Sequence, residues 1–368
     1  MDNKMSGIDA IRGKRVESFD LPYVIAGPCS AEQEGQVLHT ADELYKRGCK
    51  AFRAGVWKPR TKPGGFEGKG VEALEWMSEV KKRHPEMLIA TEVALPEHID
   101  ACLKYDVDIL WIGARTAANP FAVQAIADRL KHALERKEFI VLVKNPVNPD
   151  LDLWIGAIER LRLAGVKKIA AVHRGFSVYD SKVFRNVPMW QIPIDLKKKI
   201  DGIKVLCDPS HIGGKRELVA PLMQQAHSLG FDGFMVECHD NPDEAWTDAK
   251  QQILPEVLEY ILDSFKPVGK EEKSTGTLST YREQIDLIDD EIIIDLKKRM
   301  DFCKKIALTK LENAMPVFQE HRYQEVMRKF VNKANSLGLN EDLARQIFNS
   351  IHEESVRLQT ETIDNYGK

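Results

Sequence analysis

The sequence has no apolar run approaching the ~18 residues that a membrane-spanning helix needs. Its first ten residues, MDNKMSGIDA, lack the apolar stretch of a signal peptide. Neither membrane insertion nor secretion is expected, and a cytoplasmic location is. The chain is also poor in cysteine: Cys29, Cys49, Cys102, Cys207, Cys238 and Cys303 are scattered through 368 residues. That scatter excludes a disulfide framework and reads as a reduced protein. An excess of either charge is missing too. Lys and Arg total 53 against 56 Asp and Glu, for a formal net charge of −3. Nothing therefore pulls the chain toward nucleic acid or a membrane surface, and any anion must be held by a local cluster. No G-x-G-x-x-G follows the first apolar run, which removes the signature of a dinucleotide-binding open sheet. That run begins at Tyr23, leaving too little chain before it for an N-terminal regulatory domain.

What is present is alternation. Short β-branched or apolar runs occupy 23–27, 51–55, 88–93, 109–114, 139–145, 168–175, 204–211 and 233–239. Between them lie amphipathic stretches such as VEALEWMSEVKKR (71–83) and FAVQAIADRLKHALER (121–136). Strand–helix units repeated in this way predict an α/β domain, a closed (β/α)8 TIM barrel, over residues 1–265. KPVGKEEKSTGT (266–277) is charged, small and poor in apolar residues, and reads as a linker. Beyond it, helical patterns cover 279–311, 320–335 and 341–363, broken by Pro316 and by SLGLNED (336–342), where Gly338 is a stop and Asn340 a cap. Residues 278–368 are thus expected to form a small all-α three-helix domain.

In such a barrel the active site sits at the C-terminal ends of the strands. Read in order, those ends carry Cys29, Lys58 with Arg60, Glu92, Arg115, Lys144, Arg174, His211 and Glu237. They fall into two chemical sets. Cys29, His211 and Glu237, joined by Asp248, can bind a divalent metal, and the mixture of thiolate, imidazole and carboxylate suits Mn2+, Fe2+, Co2+ or Zn2+ better than Mg2+. Alone, Cys29 reads as a small buried hydrophobe and His211 as a hydrogen-bonded core residue. Their turn-like contexts, GPCS and DPSH, weigh against both. Cys207 and Cys238 lie within apolar runs and read as core. The second set is cationic: Arg53, Lys58, Arg60, Arg115, Lys144 and Arg174. Cations converging on one mouth imply a multiply anionic ligand, most simply a phosphate and a carboxylate.

AGPCS (26–30), RAGVWKPRTKPGGFEG (53–68), TEV (91–93), IGAR (112–115), HRG (173–175), DPSH (208–211) and VECH (236–239), followed by Asp248, resemble type I 3-deoxy-D-arabino-heptulosonate-7-phosphate synthases, and among them the short β subfamily. The resemblance spans residues 20–262, and KPRT separates the chain from the sister 3-deoxy-octulosonate-8-phosphate synthases. It implies condensation of phosphoenolpyruvate with erythrose 4-phosphate in the shikimate pathway. Cys29, His211, Glu237 and Asp248 would ligate the metal, with Mn2+ first and Co2+, Fe2+ or Zn2+ as alternatives. Arg53, Lys58, Ala114, Arg115, Lys144 and Arg174 would hold phosphoenolpyruvate. Arg60 and Thr61 would take the sugar phosphate, and Glu92 would position water or the enol carbon. The metal would polarise the aldehyde oxygen, carbon 3 of phosphoenolpyruvate would attack, and water would add at carbon 2 as phosphate leaves. His211 would also assist proton movement. Two departures are VKNP (143–146), which keeps the cation at Lys144, and His173, where the subfamily often has Glu.

In the helical region Ile285, Ile288, Ile292, Leu296, Cys303 and Ile306 form an apolar stripe, and Arg299 and Lys310 fall inside it, within about 20° of Ile292 and Cys303. Cations there are costly unless something anionic meets them. Either one alone also reads as a snorkelling edge position. Arg282 stands about 25 Å from Arg299 along one helix, so if both serve one small ligand a second chain supplies one of them. Ser355 and Gln359 share a face at i and i+4, although such a pair is also ordinary surface. The pattern over 278–363 resembles the all-helical chorismate mutases. It implies roles for Arg282, Arg299, Lys310, Arg322, Ser355 and Gln359 in caging chorismate for its rearrangement to prephenate, with Lys310 and Gln359 at the ether oxygen. Tyr323 stands where the family commonly has a Glu that contacts the substrate hydroxyl, and Gln319 replaces a frequent Asp. A homo-oligomer, at least a dimer through the helices, is expected, as is feedback inhibition of the barrel by chorismate or prephenate bound to them. The alternatives are a helical domain that is only a sensor or only a dimerisation module.

Overall fold

The computed structural model describes residues 15–58, 64–179, 181, 183–265 and 276–366, the side chains of 276–280 and 283 excepted. The chain divides into two compact units, Met1–Val268 and Gly269–Lys368.

The first unit is a closed barrel of eight parallel strands in sequence order: β1 (Val24–Gly27), β2 (Ala51–Arg53), β3 (Leu88–Val93), β4 (Ile109–Ile112), β5 (Ile140–Lys144), β6 (Lys168–His173), β7 (Lys204–Cys207) and β8 (Gly233–Glu237). All eight expected runs hold strands: six are trimmed at the C-terminal end, 88–93 is matched, and 23–27 loses only Tyr23. The excess residues leave the ladder to become the mouth. Outer helices follow the strands: α1 (Glu34–Lys46), α2 (Val71–Arg83), α3 (Pro96–Lys104), α4 (Pro120–Ala133), α5 (Leu151–Leu163), α6 (Gln191–Lys199), α7 (Val219–Ser228) and α8 (Pro255–Asp263). Their starts are written locally. Asn119 accepts from the backbone N–H of Phe121 and Ala122, Asp150 accepts from Leu153, and Pro opens α3, α4 and α8, where no intrahelical donor is lost.

Alternate residues of each strand go to different cores. Ile25, Ala51, Ala90, Ile109, Trp111, Leu142, Val172, Leu206 and Met235 fill the barrel interior. Residues such as Phe52, Ile89, Leu110, Val141, Val205 and Phe234 pack outward against the helices. Phe19 and Leu21 pack beneath the interior residues beside Leu88 at the start of β3, and Lys204, at the start of β7, donates to the Phe19 carbonyl at 2.5 Å. The N-terminal end is plugged, and chemistry is left to the other end. His173 belongs to the outer core. Its ring is fully buried among Trp154, Phe176, Trp190 and Phe231, so it is a packing residue and does not face the mouth.

The second unit holds α9 (Gly276–Glu312), α10 (Glu320–Ser336) and α11 (Glu341–Asp364). The helix begins at Gly276, so the last two residues of the expected linker are helical; 266–275 lie outside the described residues. At 37 residues α9 is about 55 Å long. The central partner is α11, which packs on both α9 and α10, and Asn340 caps it by accepting from Leu343 at 2.9 Å. The apolar stripe of α9 is only half covered. Cys303 and Ala307 are buried, whereas Ile285, Ile288 and Ile292 are 51–56% exposed. Within one chain the two shorter helices do not cover the stripe's N-terminal half.

Candidate active sites

At the mouth, Cys29 follows β1, Glu237 ends β8, and Asp248 lies in the loop after β8. A ligand atom from each lies within 4.8 Å of the others. The register sets Gly27 directly opposite Glu237. A side chain at Gly27 would collide with the Arg53 carbonyl at 2.0 Å, and this close approach lets β1 and β2 pack at the mouth. His211 sits in a one-turn helix, Pro209–Gly213, whose cap Asp208 accepts from the His211 N–H at 3.0 Å. Asp208 also takes His211 Nδ1 at 2.8 Å, which turns Nε2 to within 3.7 Å of Glu237 Oε1. Three of the expected four, Cys29, Glu237 and Asp248, are thus brought together, and His211 approaches them at Glu237 alone.

The residues suit a cation. Glu237 Oε1 is buried with no hydrogen-bond partner, while Oε2 accepts from Gln251 at 2.6 Å. An orphaned buried carboxylate oxygen is costly unless something else meets it. Burial pushes the Cys29 thiol up to about 12; Glu237 adds to the rise and Lys58 opposes it. Coordination to a divalent cation reverses that by deprotonating a thiol outright. Burial also lowers His211 against the pull of Asp208, favouring the neutral ligand form. Asp248 is held at about 2: burial raises it, but the fields of His211 and Arg185 outweigh that. Its backbone is left-handed, φ +49, a conformation that Asp tolerates better than most residues.

The cations surround this cluster. Lys58 Nζ donates to Cys29 Sγ at 3.0 Å and to its carbonyl at 3.1 Å. Arg53 is buried, donates from Nη2 to the Cys29 carbonyl at 3.1 Å and lies flat against Trp111 at 4.7 Å, with Nε and Nη1 unpartnered. Lys144, the last residue of β5, donates to Asp208 at 2.8 Å. Arg174 bonds Asn186 Oδ1 at 2.5 Å, and its N–H bonds Asn145 Oδ1 at 2.7 Å. Burial pulls Arg174 down to about 10; Asp208 opposes the fall, while Arg185 and Arg115 add to it, so these three guanidinium groups share one field. Glu92 accepts from Trp111 Nε1 at 3.1 Å, and a Cβ at Gly113 would stand 2.1 Å from Glu92 Oε1. Ala114 and Arg115 begin a one-turn helix, Ala114–Ala117. Arg60 and Thr61 lie outside the described residues.

Sequence reasoning missed a supporting layer. Glu32 accepts from the N–H of Trp246 at 2.9 Å and of Thr247 at 3.2 Å, anchoring the loop that carries Asp248. Gln252 takes the Cys29 N–H at 3.0 Å. Arg185 pairs with Asp248 at 3.1 Å and, with Lys215 and Lys250, lines a cavity of about 390 Å3 beside it. Asp208 was readable as the first residue of DPSH; the others lie in loops with no periodic signal.

In the helical unit Arg299 donates to Ser355 Oγ, and to Cys303 Sγ at 3.8 Å. Lys310 donates to Gln359 Oε1 at 3.0 Å and to the Val317 carbonyl at 2.5 Å. Ser355 and Gln359 are buried, so they form a lined site and not a surface pair. Arg322 is exposed and pairs with Glu325 at 2.7 Å, and Arg282 is exposed on the bare half of α9; neither joins the cluster within one chain.

Comparison with known proteins adds the family. The model of the DAHP synthetase I family matches residues 13–274, which is most of the chain. The chain belongs to the DAHP synthetase I family. Residues 281–360 match the chorismate mutase type II model. The chain is 30% identical over 246 residues to a phospho-2-dehydro-3-deoxyheptonate aldolase of Thermotoga maritima, covering 67% of this chain and 69% of that protein. It is 27% identical over 264 residues to a 2-dehydro-3-deoxyphosphooctonate aldolase of Nitratidesulfovibrio vulgaris, covering 65% and 90%. The crystal structure of the Thermotoga maritima enzyme superposes with a TM-score of 0.59 at 31% identity, over 65% of this chain and 67% of that one. The chain therefore fuses a synthase domain of this family to a chorismate mutase domain, and the pair supports both activities in aromatic biosynthesis. Among the described residues, no helix is long and apolar enough to cross a membrane.

Proposed function

We propose that the barrel condenses phosphoenolpyruvate with erythrose 4-phosphate through the residues just described, and that the helical domain rearranges chorismate with Arg299, Lys310, Ser355 and Gln359. Glu237 Oε1, buried without a hydrogen bond and met only at 3.5 Å by Arg53 and 3.7 Å by His211, within the Cys29–Glu237–Asp248 cluster and among Lys58, Lys144 and Arg174, carries the first reading. A divalent metal held by Cys29, His211, Glu237 and Asp248, with Mn2+ favoured and Co2+, Fe2+ or Zn2+ possible by the same donors, supplies Lewis acidity at the aldehyde oxygen. Arg53, Lys58, Lys144, Arg174, Arg115 and the backbone at Ala114 hold phosphoenolpyruvate, neutralising phosphate and carboxylate and fixing carbon 3 toward the aldehyde. Arg60 and Thr61 hold the sugar phosphate. Glu92, oriented by Trp111, faces the carbon at which water adds. His211 is already committed to Asp208 through Nδ1 and to the cluster through Nε2, which leaves it little freedom as a base. Reconstitution with each metal, scored by phosphoenolpyruvate loss, tests the site; activity that needs none of them would sink it.

The mutase reaction is unimolecular and needs a cage, not a base. Arg299 and Lys310 each present a charge with only neutral partners, which suits a dicarboxylate. Arg282 completes the cage from a second copy of the chain, which also covers Ile285, Ile288 and Ile292. Ile288→Asp should shift the protein toward monomer in sedimentation analysis and lower mutase activity in step; a variant still dimeric would contradict this. Chorismate or prephenate on the helical domain also inhibits the barrel, with a coupling of about 1–3 kcal/mol if typical. Deleting residues 266–368 should abolish that inhibition, and a truncated enzyme inhibited to the same degree would rule it out.

A further inference from the structure

Where the family commonly places a Glu against the substrate hydroxyl, this chain has Tyr323, whose one hydroxyl proton is already committed. Tyr323 Oη donates to Asn349 Oδ1 at 2.9 Å. Gln319, the other departure, sits at the start of α10 and makes no capping bond. Yet beside Tyr323, on the face of α11 that carries Ser355 and Gln359, is a polar atom with no partner. His352 Nε2 is buried without a hydrogen-bond partner, and in the helical unit no other described side-chain nitrogen or oxygen is in that state.

Its position is fixed from several sides. His352 precedes Ser355 by three residues and Gln359 by seven, so the three share one face of α11. The ring lies 4.6 Å from that of Tyr323 and is parallel to Phe348, at 6.0 Å, with Phe318 at 5.9 Å. Burial lowers its affinity for a proton, and the fields of Arg299 and Lys310 lower it further against Glu353, so the two site cations are within electrostatic reach. A neutral imidazole offers one donor and one acceptor, and a hydroxyl can meet either.

We propose that His352 contacts the ring hydroxyl of chorismate, taking over the recognition that Tyr323 and Gln319 no longer supply. The contact rests on the mutase reading of the helical domain. Tyr323 acts through His352, bracing its ring from one side. An unmet buried nitrogen also makes the site selective, since a ligand lacking the hydroxyl leaves it unpaired.

The test uses the full-length chain and a bicyclic dicarboxylic ether that mimics the rearranging geometry, made with and without the hydroxyl. Wild type should bind the hydroxylated form about tenfold or more tightly. His352→Phe should bind both equally and lower kcat/KM for chorismate by roughly tenfold to a hundredfold, and His352→Gln should recover a large part of the loss. The Gln variant keeps the experiment readable if Phe disturbs the aromatic packing. If wild type turns over chorismate and both variants keep its preference for the hydroxyl, the contact is overturned and the mutase reading stands. A wild-type chain inert toward chorismate and blind to both ethers overturns the mutase reading and this contact with it.

Discussion

In the barrel, cations arrive with their counter-charges. Lys144 meets Asp208 at 2.8 Å, Arg53 stands 3.5 Å from Glu237, and Arg185 holds Asp248. In the helical domain Arg299 and Lys310 find only a hydroxyl, a thiol, an amide and a carbonyl. The first arrangement is self-consistent while buried, because desolvated charges are tolerable when paired and hydrogen-bonded. The second has no anion among these partners, which on the proposed reading leaves that place to the ligand's carboxylates. The barrel cluster comes from a single chain, whereas Arg282, proposed for the helical cage, lies far from that cluster on an uncovered stretch of α9. The difference teaches that a multistep, metal-assisted condensation needs a rigid charged frame, whereas a unimolecular rearrangement needs only complementary charge around a shaped cage.

The contrast can be broken at its strongest point by Cys29→Ala. Losing one of four metal donors should lower condensation by about a thousandfold and reduce metal content by elemental analysis, with chorismate turnover unchanged. Arg299→Ala is the mirror experiment. Removing a cage cation should cost the mutase about 10²–10³ and leave condensation intact; loss of both activities would mean the variant unfolds or the sites are not separate. Asp208→Asn sharpens the barrel side, since it keeps shape but weakens the hold on His211 Nδ1. Metal affinity should fall about 10–100-fold by competitive chelation, and unchanged affinity would contradict the orienting role.

The smallest effect concerns stability. Burial holds His173 down at about 3, well below the ordinary 6.5, with Arg174 adding to the fall. Between those values the unfolded chain binds a proton that the folded barrel does not. Stability from this residue is therefore full above about pH 6.5 and falls as the pH drops toward 3, by up to about 1.4 kcal/mol per unit. His173→Phe should flatten the decline in denaturant midpoint between pH 7 and pH 5. A decline as steep as wild type would show that the ring is not a buried neutral group.

Much of this architecture was legible because local signals and burial agree. Strand runs such as LIATEV, buried against both cores, could be nothing else, and Asn119, Asp150 and Asn340 cap the helices they precede. The places of Lys144 and Glu237 at strand ends were legible for the same reason: the fold fixes where a strand end must point. What could not be read were partners brought from distant loops. Glu32 bonds Thr247 across 215 residues, and Arg185, in the loop after β6, reaches Asp248 in the loop after β8. The half-bare stripe of α9 also escaped, since a helical repeat reports which residues share a face and not how far the neighbouring helices extend. His173 was legible as a departure in a motif but not as an outward-facing core residue, because that depends on which way the end of β6 turns.

The account stands most directly on whether one purified, metal-reconstituted sample carries two separable chemistries. Phosphoenolpyruvate loss with erythrose 4-phosphate and chorismate loss should be followed in parallel, before and after EDTA. The expected result is that both proceed and EDTA stops only the first. Condensation that survives EDTA, or fails with metal present, would contradict the barrel site; chorismate left untouched would reduce the helical domain to a sensor or dimeriser.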